Sequence, residues 1–430
     1  MTKNTFLTSS EEQELASVIA GVADKEQVKK LTNKLLTFAV LHGASDIHLE
    51  CTRSTSIVRF RVDGVLYDVM DLSHDLHDST VARIKVLADL KTDERRVPQD
   101  GRFSGELEGV IVDFRVSVMP LIFGEKAAIR LLRQERKEQS LLELGFSPSG
   151  KSQVEASLKK PNGMILVCGP TGSGKTTTLY TLMRQLLAER GNAANLFTIE
   201  DPVEYSVERT NQIQANPGVG LTFSTALRGL LRQDADIIMV GEIRDKESAL
   251  AATQASLTGR LLLSSLHTRN AVGALIRLLD IGIEPYLVAS AVSLIIAQRL
   301  VRLVCKECKG AHQVDEATFA ELDRKHHLTK ALAQYATELG AGGEKVNPLV
   351  YYRGKGCSAC HFTGYQGRTG IFEVLEMTEA MRSLVQQRSS FSQLTEQAHK
   401  EGMATLMQHG FVKALAGLTT PEEVLRVSLD

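Results

Sequence analysis

The sequence predicts an α/β protein: a parallel sheet with crossover helices fills the larger, later part of the chain, and a smaller α+β unit precedes it. Three observations lead there. Beyond about residue 146, the apolar runs GMILVCG, NLFTIED, ADIIMVGE and RLLLSSLH alternate with stretches of helical spacing, the pattern of parallel strands joined by helices. Earlier, SIVRFRVDGVLYDVM alternates apolar and polar residues about Asp63-Gly64, which is hairpin spacing. Late in the chain, two C-x-x-C pairs bound an insert.

Taken in order, residues 1–40 carry helical spacing at Leu15, Val18, Ile19 and Val22, then at Val28, Leu31 and Leu35. They form a short helical segment of one or two helices. Residues 41–134 form the α+β domain. It holds a strand at DIHLE, the hairpin, a helix from Ser79 to Leu90, polar turns at QDGRF, and strands in VDFRVSVMP and KAAIRLL. The charged stretch at 135–145 is a linker. Residues 146–430 carry the parallel sheet, a helical region from Ala271 to Leu300, the cysteine-bounded insert over 302–365, and a helix-rich remainder. There is no internal repeat or low-complexity tract.

Composition narrows the function classes. The 430 residues exceed one core. Lys and Arg (50) nearly balance Asp and Glu (51), so no global field marks a nucleic-acid or membrane binder. Trp is absent, which weakens any model that stacks bases on aromatic rings. The N-terminus lacks a basic start followed by an apolar core, and the run SAVSLIIAQRLV is too short to span a bilayer. The expectation is a cytoplasmic protein that meets a membrane only through partners, and whose cysteines are thiols or metal ligands.

The strongest motif is Gly169-Pro170-Thr171-Gly172-Ser173-Gly174-Lys175-Thr176, a G-x-x-x-x-G-K-[ST] loop between a strand and a helix that opens through Thr177. Glycines let backbone N–H groups turn inward around phosphates, and the helix N-terminus adds positive potential. The motif predicts ATP binding, with Lys175 reaching the β and γ phosphates and the Thr176 hydroxyl helping to hold Mg²⁺.

Such a loop needs an acid at the end of a buried strand, and ADIIMVGEIRD supplies Glu242 as the second magnesium element. TIEDPVEY also ends a strand, and its Glu200, Asp201 and Glu204 offer a general base for the attacking water. His267 ends the next strand at the same sheet edge, a position suited to sensing the γ-phosphate.

Cys305, Cys308, Cys357 and Cys360 form two knuckles that can offer four thiolates to one tetrahedral Zn²⁺. Free thiols or a redox pair are the alternatives. The glycines of RGKGCSACHFTG favour a tight metal loop. Cys51 and Cys168 stand singly and read as small buried residues.

Together these elements resemble the type II secretion and type IV pilus assembly ATPase family, from ASDIHLE to TTPEEVLRVS. The chain has a Walker A (GPTGSGKTTTLY), an aspartate box (TIEDPVEY), a Walker B (LLRQDADIIMVGEIRD) and most of a histidine box (LTGRLLLSSLHT), in the family's order. The resemblance implies a RecA-like P-loop NTPase domain, a PAS-like fold for the preceding α+β domain, and a zinc-binding insert typical of the assembly and secretion branch. It implies Glu204 as the residue that activates water, Glu200 as the second candidate, and Glu242 acting through magnesium. It gives His267 the role of coupling phosphate state to conformation. Arg115, Arg130, Arg228 and Arg232 fall where the family's phosphate-reaching and interface arginines lie. Arg228 and Arg232, four apart on an expected helix, would share one face. The implied assembly is a homohexamer that hydrolyses ATP and works an inner-membrane platform protein of a pilus or secretion machine, with no nucleic acid as partner.

Two departures qualify this. The larger N-terminal domain of many relatives is missing or reduced to residues 1–40, so its docking properties do not transfer. Arg260 stands where many relatives carry another histidine. A retraction or DNA-uptake motor is the nearest alternative, and the cysteine element disfavours it. A nucleic-acid translocase is opposed by the balanced charge. A nucleotide-binding scaffold is opposed by the intact acids and Lys175.

Overall fold

The computed structural model describes residues 7, 9–19, 24–133, 139–314, 316–329 and 349–428, which fall into two compact units. The first comprises residues 1–137 with 305–308 and 355–367; the second holds the rest. Residue 134 at the end of the expected α+β domain, part of the expected linker (135–138), and parts of the insert (315 and 330–348) lie outside the described residues.

The first unit is a six-stranded sheet with helices α1 (Ser9–Ile19), α2 (Lys25–Leu41) and α3 (His74–Leu87). Its strands are β1 (Ala44–Cys51), β2 (Ser56–Val62), β3 (Val65–Leu72), β4 (Gln99–Leu107), β5 (Val110–Leu121) and β6 (Gly124–Arg133), in the order β3-β2-β1-β6-β5-β4. Every pairing is antiparallel. Alternation along the strands sends Ile47, Leu49, Val58, Phe60, Phe114 and Ile129 into a core with Leu31 and Leu35 of α2 and Ile84 of α3. Asp63 (φ 49°) and Gly64 (φ 85°) make the left-handed two-residue turn that matches strand twist in a hairpin.

Two expectations for this unit change. The helix expected from Ser79 begins at His74, because the Ser73 hydroxyl accepts from Leu76 N–H and starts it a turn earlier. QDGRF is strand β4, not a turn, and pairs with β5 from Gln99↔Val118 to Leu107↔Val110. As an edge strand without fully buried residues it needs no apolar run, so its polarity hid it.

The second unit is a seven-stranded sheet, ordered β15-β12-β7-β11-β10-β8-β9. Its strands are β7 (Gly163–Cys168), β8 (Leu196–Glu200), β9 (Asn211–Gln214), β10 (Ile237–Val240), β11 (Leu261–Leu266), β12 (Val292–Val304) and β15 (Tyr365–Glu376). The pairings from β12 to β9 are all parallel. Strands β13 (Lys309–Gln313) and β14 (Val350–Gly354) form a separate hairpin.

Helices α4 (Leu141–Leu144), α5 (Pro148–Leu158), α6 (Lys175–Arg190), α7 (Phe223–Leu230), α8 (Lys246–Leu257), α9 (Ala271–Ile281) and α10 (Pro285–Ala291) alternate with the strands. Later come α11 (Glu316–His326), α12 (Glu379–Gln386), α13 (Phe391–Lys400), α14 (Leu406–Leu415) and α15 (Pro421–Ser428). Successive residues of the central strands feed opposite faces. Met164, Leu166, Ile238 and Val240 pack with α7, α8 and α9, whereas Ile165, Val167, Ile237 and Met239 pack with α5 and α6. A strand buried on both faces needs an unbroken apolar run, which is why these runs were legible.

The expected helical region from Ala271 to Leu300 ends early. It contains α9 and α10 and then turns into strand β12, which pairs parallel with β7. An apolar run such as VSLIIA has no period to separate a buried strand from a buried helix. The remainder after Cys360 likewise opens with strand β15 before its helices. Within the expected linker, Leu141–Leu144 already forms helix α4, with Leu141 buried.

Candidate functional site

The carboxyl ends of β7, β8, β10 and β11 gather the predicted elements at one edge of the sheet, where parallel α/β sheets bind ligands. Register explains the gathering. Val240 lies opposite both Ile199 and Ser264, so the next residues of β8, β10 and β11 emerge together. Gly241 N–H donates to Ile199 O at 2.8 Å, and the Ser265 hydroxyl donates to Gly241 O at 2.7 Å.

The loop 169–176 leaves β7 and runs into α6, whose N-cap Gly174 has φ 88°. A Cβ at Gly169 would stand 2.6 Å from the Gln298 carbonyl oxygen, and one at Gly174 would stand 2.7 Å from Gln298 Nε2. Both glycines are therefore required by strand β12 behind the loop. Lys175 is half-buried, and its Nζ donates to Gly169 O (2.9 Å) and Pro170 O (3.1 Å). Burial lowers its pKa below 10.5, against the pull of the Glu242 charge. Among the described residues this ammonium bonds to its own loop's carbonyls, an arrangement that suits a phosphate. Thr176 and Thr177 are exposed at the head of α6.

Glu242 follows β10 and is half-buried. Its Oε2 lies 2.9 Å from His267 Nε2, and its Oε1 accepts from Arg244. Burial by itself raises the Glu242 pKa, but Arg244 and His267 outweigh it and hold the carboxyl below 4.5. An ionised acid beside Lys175 and the exposed Thr176 fits Mg²⁺, which would be held by Thr176 and Glu242 and would supply charge neutralisation on the phosphates.

Glu200 ends β8 with 3% exposure, and its oxygens are already engaged. Tyr180 OH donates to Oε2 at 2.5 Å, while Thr198 Oγ1 (2.7 Å) and Gln212 Nε2 (3.2 Å) donate to Oε1. Glu204 lies half-buried in the loop that follows. The aspartate box thus holds the locked Glu200 carboxylate at the strand end and Glu204 in the half-buried loop beyond it.

Arg228 lies at the end of α7 and pairs with Glu247 of α8 at 2.7 Å. Arg232 does not share its helix: α7 stops at Leu230, and Arg232 sits in the following turn, donating to Arg228 O at 3.3 Å. Arg260 is spent on the Thr258 carbonyl and hydroxyl and on Leu231 O.

In the first unit, Arg115 of β5 and Arg130 of β6 are directly opposed in register, so their side chains share a sheet face. Arg130 is exposed and donates to Asp46 at 3.2 Å.

The four knuckle cysteines converge within 4.8 Å of one another. Sulfur separations are 3.8 Å for Cys305–Cys357 and for Cys308–Cys360, and 3.7 Å for Cys357–Cys360. Tetrahedral zinc with Zn–S bonds of about 2.3 Å requires edges of about 3.8 Å, so the donor set fits. Cys357 N–H and Gly364 N–H point at Cys360 Sγ (3.2 and 3.3 Å). Burial raises the Cys360 pKa, yet these donors and the neighbouring thiols bring it down to about 7. Four thiolates leave no open position, so the ion they suit is structural. The knuckles count with the first unit, not with the sheet they interrupt: His361 Nε2 lies 2.9 Å from His42 Nδ1, and Gly367 N–H donates to Asp63 at 2.9 Å.

Sequence reasoning missed Tyr180, Arg244 and Gln298, which hold Glu200, Glu242 and the phosphate loop. The available signal was a polar residue inside an apolar run, as with Gln298 in SLIIAQRLV.

A phosphate loop on the edge of a parallel sheet, faced by an ionised acid and a histidine from adjoining strands, makes this a P-loop ATPase. Residues 22–426 match the type II/IV secretion system protein family, to which the chain belongs. It is 44% identical over 407 residues to the type II secretion system protein E of Pseudomonas aeruginosa, covering 95% of this chain and 76% of that one. It is 42% identical over 419 residues to the type IV pilus assembly ATPase PilB of Myxococcus xanthus, covering 97% and 70%. The solved structure of the pilus retraction motor PilT with bound ADP superposes with a TM-score of 0.58 at 25% identity, over 93% of this chain and 97% of that one.

Proposed function

We propose that this chain is the ATP-hydrolysing motor of a type II secretion or type IV pilus assembly machine, working as a ring of six copies on the cytoplasmic side of an inner-membrane platform protein. The observation that carries the reading is the pairing of a Walker-type phosphate site with a four-thiolate cluster in one chain. Among the described residues no helix is long and apolar enough to cross a membrane.

In this reading Lys175 and the N–H groups of 169–177 hold the phosphates, and Glu204 orients the attacking water. The three donors on Glu200 support that choice, because they already occupy most of its acceptor positions and fix its orientation. His267, bonded to Glu242, reports the phosphate state to β11. Arg115, Arg130, Arg228 and Arg232 supply positive charge to the transition state when units or copies close.

The test is steady-state Mg-ATPase activity per subunit as protein concentration rises, with Lys175→Ala as the blank. A rate that climbs with concentration and vanishes in the variant supports a site completed by association. Absence of activity above the blank, with or without a platform protein, sinks the motor reading.

A further inference from the structure

Gln298 belongs to strand β12, within the stretch that sequence patterning reads as helical, and its amide binds both the phosphate loop and the helix leaving it. It is 2% exposed. Its Nε2 donates to Ser173 O at 2.8 Å, and its Oε1 accepts from the Thr178 hydroxyl at 2.7 Å. Buried amides seldom stand in a run such as Leu294-Ile295-Ile296-Ala297, so this one needs its two bonds.

The bond to Ser173 has a directional consequence. The peptide joining Ser173 to Gly174 is planar, and in a trans peptide the C=O and N–H point in opposite directions. Pulling the Ser173 carbonyl outward, towards β12, turns the Gly174 N–H inward, into the phosphate cradle. Without that anchor the peptide is free to flip and present a carbonyl oxygen to an anion. The Thr178 bond acts on the other side of the loop. A helical threonine ordinarily folds its hydroxyl back onto the carbonyl four residues earlier. Here it reaches across to Gln298 and fixes the first turn of α6, which carries Lys175 and Thr176.

The approach is built in on both sides. Gly174 lacks the Cβ that would clash with the amide, and Ala297 is registered opposite Cys168, the residue just before the loop. Arg299 holds the strand in place: it donates to the Gln298 carbonyl at 3.0 Å and to Arg269 O at 2.9 Å.

We infer that Gln298 is a positioning residue for nucleotide binding: it sets the Gly174 N–H toward the β-phosphate from the strand behind the loop. The inference rests on the phosphate-site reading above and deepens it. Binding of fluorescent ADP and AMP analogues to the full chain tests it, with Lys175→Ala as the control for the site itself. Gln298→Met keeps the length and apolar stem and removes both hydrogen bonds. Gln298→Glu keeps the acceptor for Thr178 but sets a carboxylate against the Ser173 carbonyl.

The expected result is a loss of about tenfold or more in ADP affinity for both variants, larger for Glu than for Met, with AMP affinity changed far less. Thr178→Val, which spares the Ser173 bond, should lose less ADP affinity than Gln298→Met. Thermal melting confirms that each variant is folded. ADP affinity of Gln298→Met within twofold of the native chain, or an equal loss for AMP and ADP, overturns the inference. Failure of the native chain to bind ADP more tightly than Lys175→Ala brings down the site reading and this inference together.

Discussion

Tyr180 and Glu200 join the helix that leaves the phosphate loop to the strand that carries the aspartate box, through a 2.5 Å hydrogen bond with both side chains buried. Burial first, and then Glu200, push the phenol pKa upward, so Tyr180 remains the donor throughout the working pH range. Tyr180→Phe removes one hydroxyl from a closed site and leaves Glu200 one donor short. The expected cost is about 1–2 kcal/mol of stability, read from urea unfolding, together with a lower kcat. A variant that matches the native chain in both measurements shows that the bond is dispensable.

Glu242 gives a pH prediction. Its folded pKa lies below 4.5, so the favourable interactions of its charge are present above that value and disappear as pH falls through the folded pKa. Removing Arg244 takes away the hydrogen bond and the charge that hold it down. The acid limb of the Mg-ATPase profile of Arg244→Ala should therefore move to higher pH, while the alkaline limb stays in place. An unmoved acid limb in an active variant separates Glu242 ionisation from the rate.

Lys413 of α14 is 2% exposed, and among the described residues its hydrogen-bond partners are neutral: Gly145 O, Gly370 O and Thr369 Oγ1. Burial lowers its pKa to about 7 from 10.5. Between those values the unfolded chain binds the proton and the folded chain does not, so this group makes stability rise with pH across the window and contributes no slope outside it. Urea unfolding of the native chain and Lys413→Met from pH 6 to 10 reads the difference directly. The variant should be flatter by up to about 1.4 kcal/mol per pH unit within the window, and parallel curves refute the assignment.

The cysteine cluster predicts one zinc per chain by elemental analysis, lost in Cys357→Ser. Removing the metal with a strong chelator under reducing conditions should lower Tm by roughly 5 °C or more, since the ion closes a long loop. A protein isolated without zinc, whose Tm does not respond to added metal, contradicts the fit of the four sulfurs.

Legibility in the sequence followed solvent exposure and period. β7, β8, β10 and β11 are short, apolar and bounded by glycine, acidic or basic residues, so their runs stood out, and with them the loop from Gly169 to Thr176, Glu242 and His267. Alternation made β1, β2 and β3 equally plain. β4 failed the same reading because an edge strand can afford polar residues on both faces. β12 failed because a fully apolar run carries no period, and with it went the role of Gln298. The supports of the site were hidden for a related reason: Tyr180, Arg244 and Gln298 reach the residues they hold through contacts that only the folded chain creates. Arg232 was placed on a helix by spacing alone, and no helix-ending glycine or proline follows Leu230 to announce the stop.

The first unit is discontinuous in the chain: its sheet is complete by Arg133, but its cysteine knuckles are encoded on either side of the hairpin that begins at Lys309. During synthesis the sheet therefore emerges from the ribosome well before Cys305, and the knuckles can close on it only after the parallel strands β7 to β12 have also been made. The gene cannot be cut at the end of the first sheet without discarding the Asp63–Gly367 and His42–His361 contacts. A translation product that stops short of Gly367 has all the residues of the phosphate loop but an unsealed amino-terminal unit, so metal capture marks a chain whose synthesis has passed the last cysteine.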